Sequence, residues 1–105
     1  MPSRTPLSDD QLDAALADLD GWTAEADGDE NWIARDFAFD DFRSAFAFLV
    51  RVAFEAEARD HHPEITNVYD RVGLALSTHD AGNRVTETDL DFARAVNGWP
   101  SAQGA

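Results

Sequence analysis

The chain holds three histidines, His61, His62 and His79, and carboxylates cluster around them: Glu57 and Asp60 before the adjacent pair, Asp80 and Asp89 after the third. Imidazole has a reference pKa of about 6.5, so it gives or takes a proton near neutral pH. A carboxylate nearby favours the charged form of an imidazole, which then serves as a general acid. A positioned acid or base contributes about 10²–10⁴ in rate. Glu57 and His61 are four residues apart and share a face if the helix that carries Glu57 persists that far. Two other chemistries fit the same residue types. One is a metal site of three histidines and a carboxylate. It is disfavoured because neighbouring side chains diverge in extended backbone and no His-x-His or His-x₃-His spacing occurs. The other is a set of surface histidines paired electrostatically with acids, which spacing alone does not separate from catalysis. The absence of cysteine excludes a disulfide framework, a thiol nucleophile and a cysteine-based zinc site.

The elements that must position these groups are legible in the pattern of apolar residues. Ser8 with Gln11 forms a capping box, and Leu12, Ala15, Leu16 and Leu19 predict a helix over 9–19, ended by Asp20-Gly21. Residues 22–26 read as a strand and Asp27-Gly28 as a hairpin turn. Trp32 to Phe39 reads as a half-buried strand, with Ile33, Phe37 and Phe39 on one face and Arg35 at its edge or on a solvated part. Asp40 or Asp41 caps a long helix over about 41–58. Its stripe of Phe42, Phe46, Leu49, Ala53 and Ala56, widened by Ala45, Phe48 and Val52, predicts that its phenylalanines pack in the core. Pro63 ends the helical run and pushes His62 towards extended backbone. Over 65–78, Val68, Val72, Leu74 and Leu76 alternate onto one face, as one long strand or a hairpin bent near Asp70. Thr86 with Asp89 opens a last helix that turns Leu90, Ala93 and Val96 inward and stops at Gly98 and Pro100. The fold class is therefore α+β, a sheet with helices on one face. Residues 1–105 read as a single domain, with 1–7 and 98–105 as short tails.

Charge narrows the partners. Twenty-one acids face eight bases, giving −13, and every base is arginine. A surface this negative is repelled by phosphate backbones and anionic lipid, so neither nucleic acid nor membrane is an expected partner. The lysine-free acidic composition suggests adaptation to a high-salt cytoplasm, because at about 1 M salt the Debye length falls to about 3 Å and self-repulsion is screened. No apolar run is long enough to cross a bilayer, and the opening Met-Pro-Ser-Arg-Thr-Pro does not look like a signal peptide. The expected compartment is cytoplasmic.

As a set, the residues carry a resemblance. Glu57-Ala-Arg-Asp-His61-His62-Pro63, then Tyr69, then Thr78-His79-Asp80, then Asp89 is similar to the signature of the pterin-4a-carbinolamine dehydratase family. Leu19-Asp20-Gly21-Trp22, and Arg35, Phe37, Phe39 and Phe42, extend the likeness over roughly residues 7–97. The stretch Asn83-Arg84-Val85 departs from the shorter, more glycine-rich loop of relatives.

The resemblance implies a four-stranded antiparallel sheet with three helices on one face, in the order α-β-β-α-β-β-α, with 65–78 forming a hairpin. It implies a hydro-lyase that removes water from 4a-hydroxytetrahydropterin to give quinonoid dihydropterin, in recycling of tetrahydrobiopterin, with no metal or organic cofactor. His61 and His79 become the acid/base pair. His62 mainly holds the substrate, and Glu57 and Asp89 orient or tune the imidazoles. Pro63 and the segment Thr78, His79, Asp80 and Ala81 offer backbone groups to the flat heterocycle, and Trp22 is a stacking candidate. Tyr69 reads as structural. A homodimer or homotetramer is implied. The animal role with a homeodomain factor does not carry over to so acidic a surface. Alternatives are a non-catalytic pterin-binding protein, a role in molybdenum-cofactor metabolism, and a purely structural adaptor. All of the chemistry requires that positions 61, 62 and 79 meet in one cup.

Overall fold

The structure, a computed structural model, describes residues 3–105. Ser8 caps α1 (Asp9–Leu16) through the expected reciprocal box with Gln11. The helix stops earlier than its apolar spacing suggests. Tight turns then carry Leu19 and Trp22 into the core. β1 (Thr23–Asp27) and β2 (Glu30–Ala38) form a hairpin around Gly28, whose φ of 62° suits a residue without Cβ. The Asp41 carboxylate accepts from the Ser44 amide at 2.7 Å and caps α2 (Phe42–Arg59). That backbone hydrogen bond holds the Asp41 carboxyl below its usual range. β3 (Glu64–Val68) and β4 (Arg71–Leu76) form a second hairpin, and α3 (Glu87–Asn97) follows. The sheet is antiparallel with strand order β1-β2-β4-β3, and the chain order is α-β-β-α-β-β-α.

One face of the sheet carries the core. Ile33 stands opposite Leu76 and Phe37 opposite Val72, and all four are buried against Ala45, Phe48, Val52 and Ala56 of α2 and Leu90, Ala93 and Val96 of α3. Phe48 is the hub, with ring centroids 4.7 Å from Phe37, 5.1 Å from Phe39 and 5.9 Å from Trp99. Removing such a ring costs about 3–5 kcal/mol.

Four expectations need correction. First, α2 packs through Ala45, Phe48, Val52 and Ala56. Phe42 and Phe46 are therefore 45% and 51% exposed rather than in the core. The small residues at 45 and 56 let the helix approach the sheet on that side, and the neighbouring apolar stripe is left outside. Second, Val68 is 74% exposed. The hairpin turn between Val68 and Arg71 pairs those two residues, so parity counted through the turn assigns Val68 to the wrong face. Third, Arg35 lies on the core face, half-buried over the Phe37 ring at 4.3 Å, and donates to Asn97 Oδ1 at 2.5 Å and to the Ala102 carbonyl at 3.1 Å. Burial lowers its pKa, with Asp20 acting in the opposite sense. A Cβ at Gly21 would lie 2.7 Å from Arg35 Nε, so this glycine makes room for the guanidinium. Fourth, among the described residues neither 3–7 nor 98–105 is a detached tail. Trp99 and Ala102 are buried, and a buried large aromatic contributes on the order of 2–3 kcal/mol. At the other end, the Leu7 amide bonds the Val85 carbonyl at 3.0 Å, and the Ser3 carbonyl accepts from the amide and hydroxyl of Thr88.

Candidate active site

The histidine pair is placed by the way α2 ends. Asp60 adopts left-handed backbone, φ 50°, and its amide bonds back to the carbonyls of Ala56 and Glu57. The His61 amide also bonds the Ala56 carbonyl, at 3.0 Å. This reversal ends the helical face that Glu57 and His61 were expected to share. His61 turns inward, 5% exposed, beside Phe92. His62 stays exposed and takes Glu57, Nε2 to Oε1 at 3.2 Å. Glu57 thus partners the second histidine of the pair, not the first.

Asp89 receives His61. The Asp89 Oδ1 lies 2.5 Å from His61 Nε2, and its Oδ2 accepts from the Thr86 amide at 2.9 Å and the Thr78 hydroxyl at 2.8 Å. The same carboxylate therefore closes the capping box of α3 and orients an imidazole. Thr86 Oγ1 lies 2.6 Å from Thr78 Oγ1 and accepts from the Thr88 amide at 3.2 Å, so the hydrogens run in one direction, Thr86 to Thr78 to Asp89. Asp89, Thr78 and Thr86 are all fully buried, where paired polar groups rigidify a site and unpaired ones are costly. With its Nε2–H given to Asp89, His61 keeps Nδ1, which makes no hydrogen bond among the described residues and is not among the buried unpaired atoms.

His79 opens a short helical turn, His79–Ala81, closed by Gly82. Its Nδ1 lies 3.2 Å from Asn83 Oδ1, an atom that only accepts, so Nδ1 carries the proton and Nε2 is the free nitrogen. Asn83 is itself held by Glu30 at 2.8 Å, and its carbonyl accepts from the Asn31 amide. The unusual Asn83-Arg84-Val85 stretch is tied back to the strand end: Thr78 bridges Arg84, and the Val85 amide bonds Asn31 Oδ1 at 2.7 Å.

His61, His62, His79 and Asp80 line one cleft of about 310 Å³, together with Arg4, Asp60 and Ser77. That volume is at the low end for small-molecule sites. A larger hollow of about 490 Å³ lies between α2 and the C-terminal segment, but it is lined by no histidine and by one acidic side chain, Asp40. The side chains able to move protons therefore gather in the smaller cleft. Glu57 borders it through His62, while Thr78 and Asp89 stand behind it. Pro63 and Ala81 adjoin it in sequence but do not line it. Trp22 is not brought there. It is 4% exposed, packs edge-on to Phe37, and donates to Asn97 Oδ1 at 2.8 Å. Tyr69 sits exposed at the tip of the second hairpin. Sequence reasoning missed Arg4, because it falls in a segment without pattern, and Ser77, whose adjacency to Thr78 was the available signal; Asp60 was placed among the carboxylates around the histidines but given no role. Among the described residues no group of three or more His, Asp or Glu side chains is placed to hold a metal ion. Among the same residues no helix is long and apolar enough to cross a membrane.

The sequence model of the family described as pterin 4 alpha carbinolamine dehydratase matches residues 5–99. The chain belongs to this family. A Rhodopseudomonas palustris (strain BisB18) protein that carries the pterin-4-alpha-carbinolamine dehydratase name provisionally is 55% identical over 91 residues, 87% of each chain. The crystal structure of a Brucella melitensis protein named transcriptional coactivator/pterin dehydratase superposes with a TM-score of 0.82 at 44% identity, covering 93% of this chain and 99% of that one. A pterin dehydratase-like protein identified as a RuBisCO assembly factor in the alpha-carboxysome shares the fold, with a TM-score of 0.64 at 23% identity over 81% of this chain and 93% of that one.

Proposed function

We propose that this member of the family is a working dehydratase: it takes 4a-hydroxytetrahydropterin to quinonoid dihydropterin and water by histidine acid/base catalysis. The observation that carries the reading is the meeting of His61, His62 and His79 in one cleft, with His61 held by the buried Asp89. Hydroxide leaves badly unless it is protonated. An imidazolium donates its proton to the 4a oxygen, the C4a–O bond breaks, and water departs. The neighbouring ring nitrogen loses its proton to a second base, which completes the C=N bond and balances the reaction. His61 offers Nδ1 and His79 offers Nε2, two nitrogens with separate attachments, as the two functions require. Asp89 acts as a positioning residue that selects the His61 tautomer. His62 with Glu57 holds the substrate. Backbone groups between Thr78 and Ala81, with Asp80, border the ring. The family membership, and the dehydratase names among relatives, support the reaction class; recycling of tetrahydrobiopterin is the pathway proposed for it.

Stopped-flow dehydration of chemically made carbinolamine tests this. His79→Ala and His61→Gln should each lower the rate by about 10–10³. Unchanged rates in both variants would leave a pterin-binding protein, in molybdenum-cofactor metabolism or elsewhere, as the surviving reading.

We further propose that the chain works as a homodimer or homotetramer. Phe42, Phe46, Val50 and Phe54 recur every four residues along α2 and are 41–73% exposed, a stripe suited to a second copy. Light scattering should report an oligomer, and Phe46→Asp with Phe54→Asp should reduce it to 11.6 kDa monomers. A monomeric parent chain would end this part of the reading.

A further inference from the structure

One permanent cation lines the histidine cleft, and it comes from the segment that precedes α1. Arg4 is 41% exposed, and its Nη1 donates to Asp80 Oδ2 at 3.3 Å. The segment is fastened on both sides of it. The Ser3 carbonyl accepts from the amide and hydroxyl of Thr88, at the N-terminus of α3 beside Asp89, and the Leu7 amide bonds Val85. The Thr5 amide bonds Ser3 Oγ at 3.1 Å, which tightens the backbone at Arg4 itself. The guanidinium is thus delivered to the rim by a docked strand of chain. The family match begins at residue 5, so membership of the family does not supply this residue.

We propose that Arg4 is a substrate-binding residue, which donates hydrogen bonds to neutral oxygen acceptors of a reduced pterin seated on the histidines; the identity of that ligand rests on the dehydratase reading. Three features carry this. A guanidinium has five donors and no acceptor, so it recognises oxygens or ring nitrogens rather than N–H groups. Its present partner, Asp80, is 71% exposed, and an ion pair this exposed contributes little, so a ligand takes over some of the donors at small cost. Asp60 and Asp80 flank the same opening, which disfavours an anionic ligand group and leaves a neutral carbonyl or hydroxyl as the matching acceptor. His61 is buried and the Arg4–Asp80 pair is exposed, so the reacting ring centre sits deep and Arg4 meets the outer part of the ligand.

The test measures dehydration kinetics and the Kd of dihydrobiopterin, a non-reacting probe, for the parent chain, Arg4→Ala, Arg4→Gln and Arg43→Ala. Arg43→Ala removes the same charge in the first turn of α2, where the rise of about 1.5 Å per residue from Arg43 to Arg59 puts it about 24 Å from the helix end that leads into His61. Arg4→Ala and Arg4→Gln should each raise KM and Kd about five- to tenfold while kcat changes less than about twofold. Arg43→Ala should match the parent. Unaltered KM and Kd in both Arg4 variants would overturn the proposal and leave the dehydratase reading intact. An equal rise in Arg43→Ala would also overturn it, since net charge would then be the cause. A parent chain that binds the probe through Arg4 but does not dehydrate would sink the dehydratase reading and keep Arg4. A parent chain that does neither would sink both.

Discussion

His61 and His79 line the same cleft but are held in different ways. His61 is 5% exposed, against Phe92, and its partner Asp89 is fully buried and takes two further hydrogen bonds from α3's cap and Thr78. His79 is exposed on a short turn, and its partner is the side-chain amide of the half-buried Asn83, itself held by Glu30. The rim pairs, His62 with Glu57 and Arg4 with Asp80, are exposed as well. The difference teaches where each function must sit. The buried network fixes the direction of the His61 ring before a ligand arrives, whereas the exposed His79 is aimed by one amide contact that a bound ligand must complement. Groups that admit and hold a ligand must exchange partners, and an exposed pair allows that.

If that contrast is right, damage should grade with depth. Asp89→Ala attacks the deep side and should do the most. It removes the partner of His61, the acceptor of Thr78 and half of the α3 capping box. We expect a stability loss of about 3–5 kcal/mol by denaturant unfolding and a rate loss of about 10²–10³ in whatever remains folded. A variant as stable and as fast as the parent chain would show that the buried network positions nothing. His62→Ala attacks the rim. It should raise KM several-fold and lower kcat less, with stability almost unaltered. A larger fall in kcat than rise in KM would move the chemistry from the deep side to the rim. The mildest probe is salt. Melting in low and in about 2 M KCl should show a higher Tm at high salt, because net charge of −13 is screened, while the buried His61–Asp89 contact is screened much less. Equal Tm values would argue against salt adaptation.

The Ser8, Asp41 and Thr86 caps, the Asp27-Gly28 turn and the helix stop after Asn97 were readable because each depends on residues within a few positions of one another. The three histidines and Asp89 were readable as candidates for the same reason, since imidazole and carboxylate chemistry is a property of residue type. Readings failed where a second element intervened. The two apolar stripes on α2 are equally helical, and only the sheet beneath decides that Phe48 is buried and Phe46 is not. Trp22 next to a helix end is compatible with a pocket or a core until Phe37 and Asn97 close over it.

Composition and local spacing thus determined the helices and their caps, the parity of most strands, the anionic surface and the groups able to move protons. Tertiary structure decided partners. One left-handed residue, Asp60, sends His61 inward to Asp89 and leaves Glu57 to His62. The docked N-terminal segment brings Arg4 beside Asp80, 76 positions away. Contacts between residues so far apart depend on how whole elements pack, and no local propensity encodes that packing.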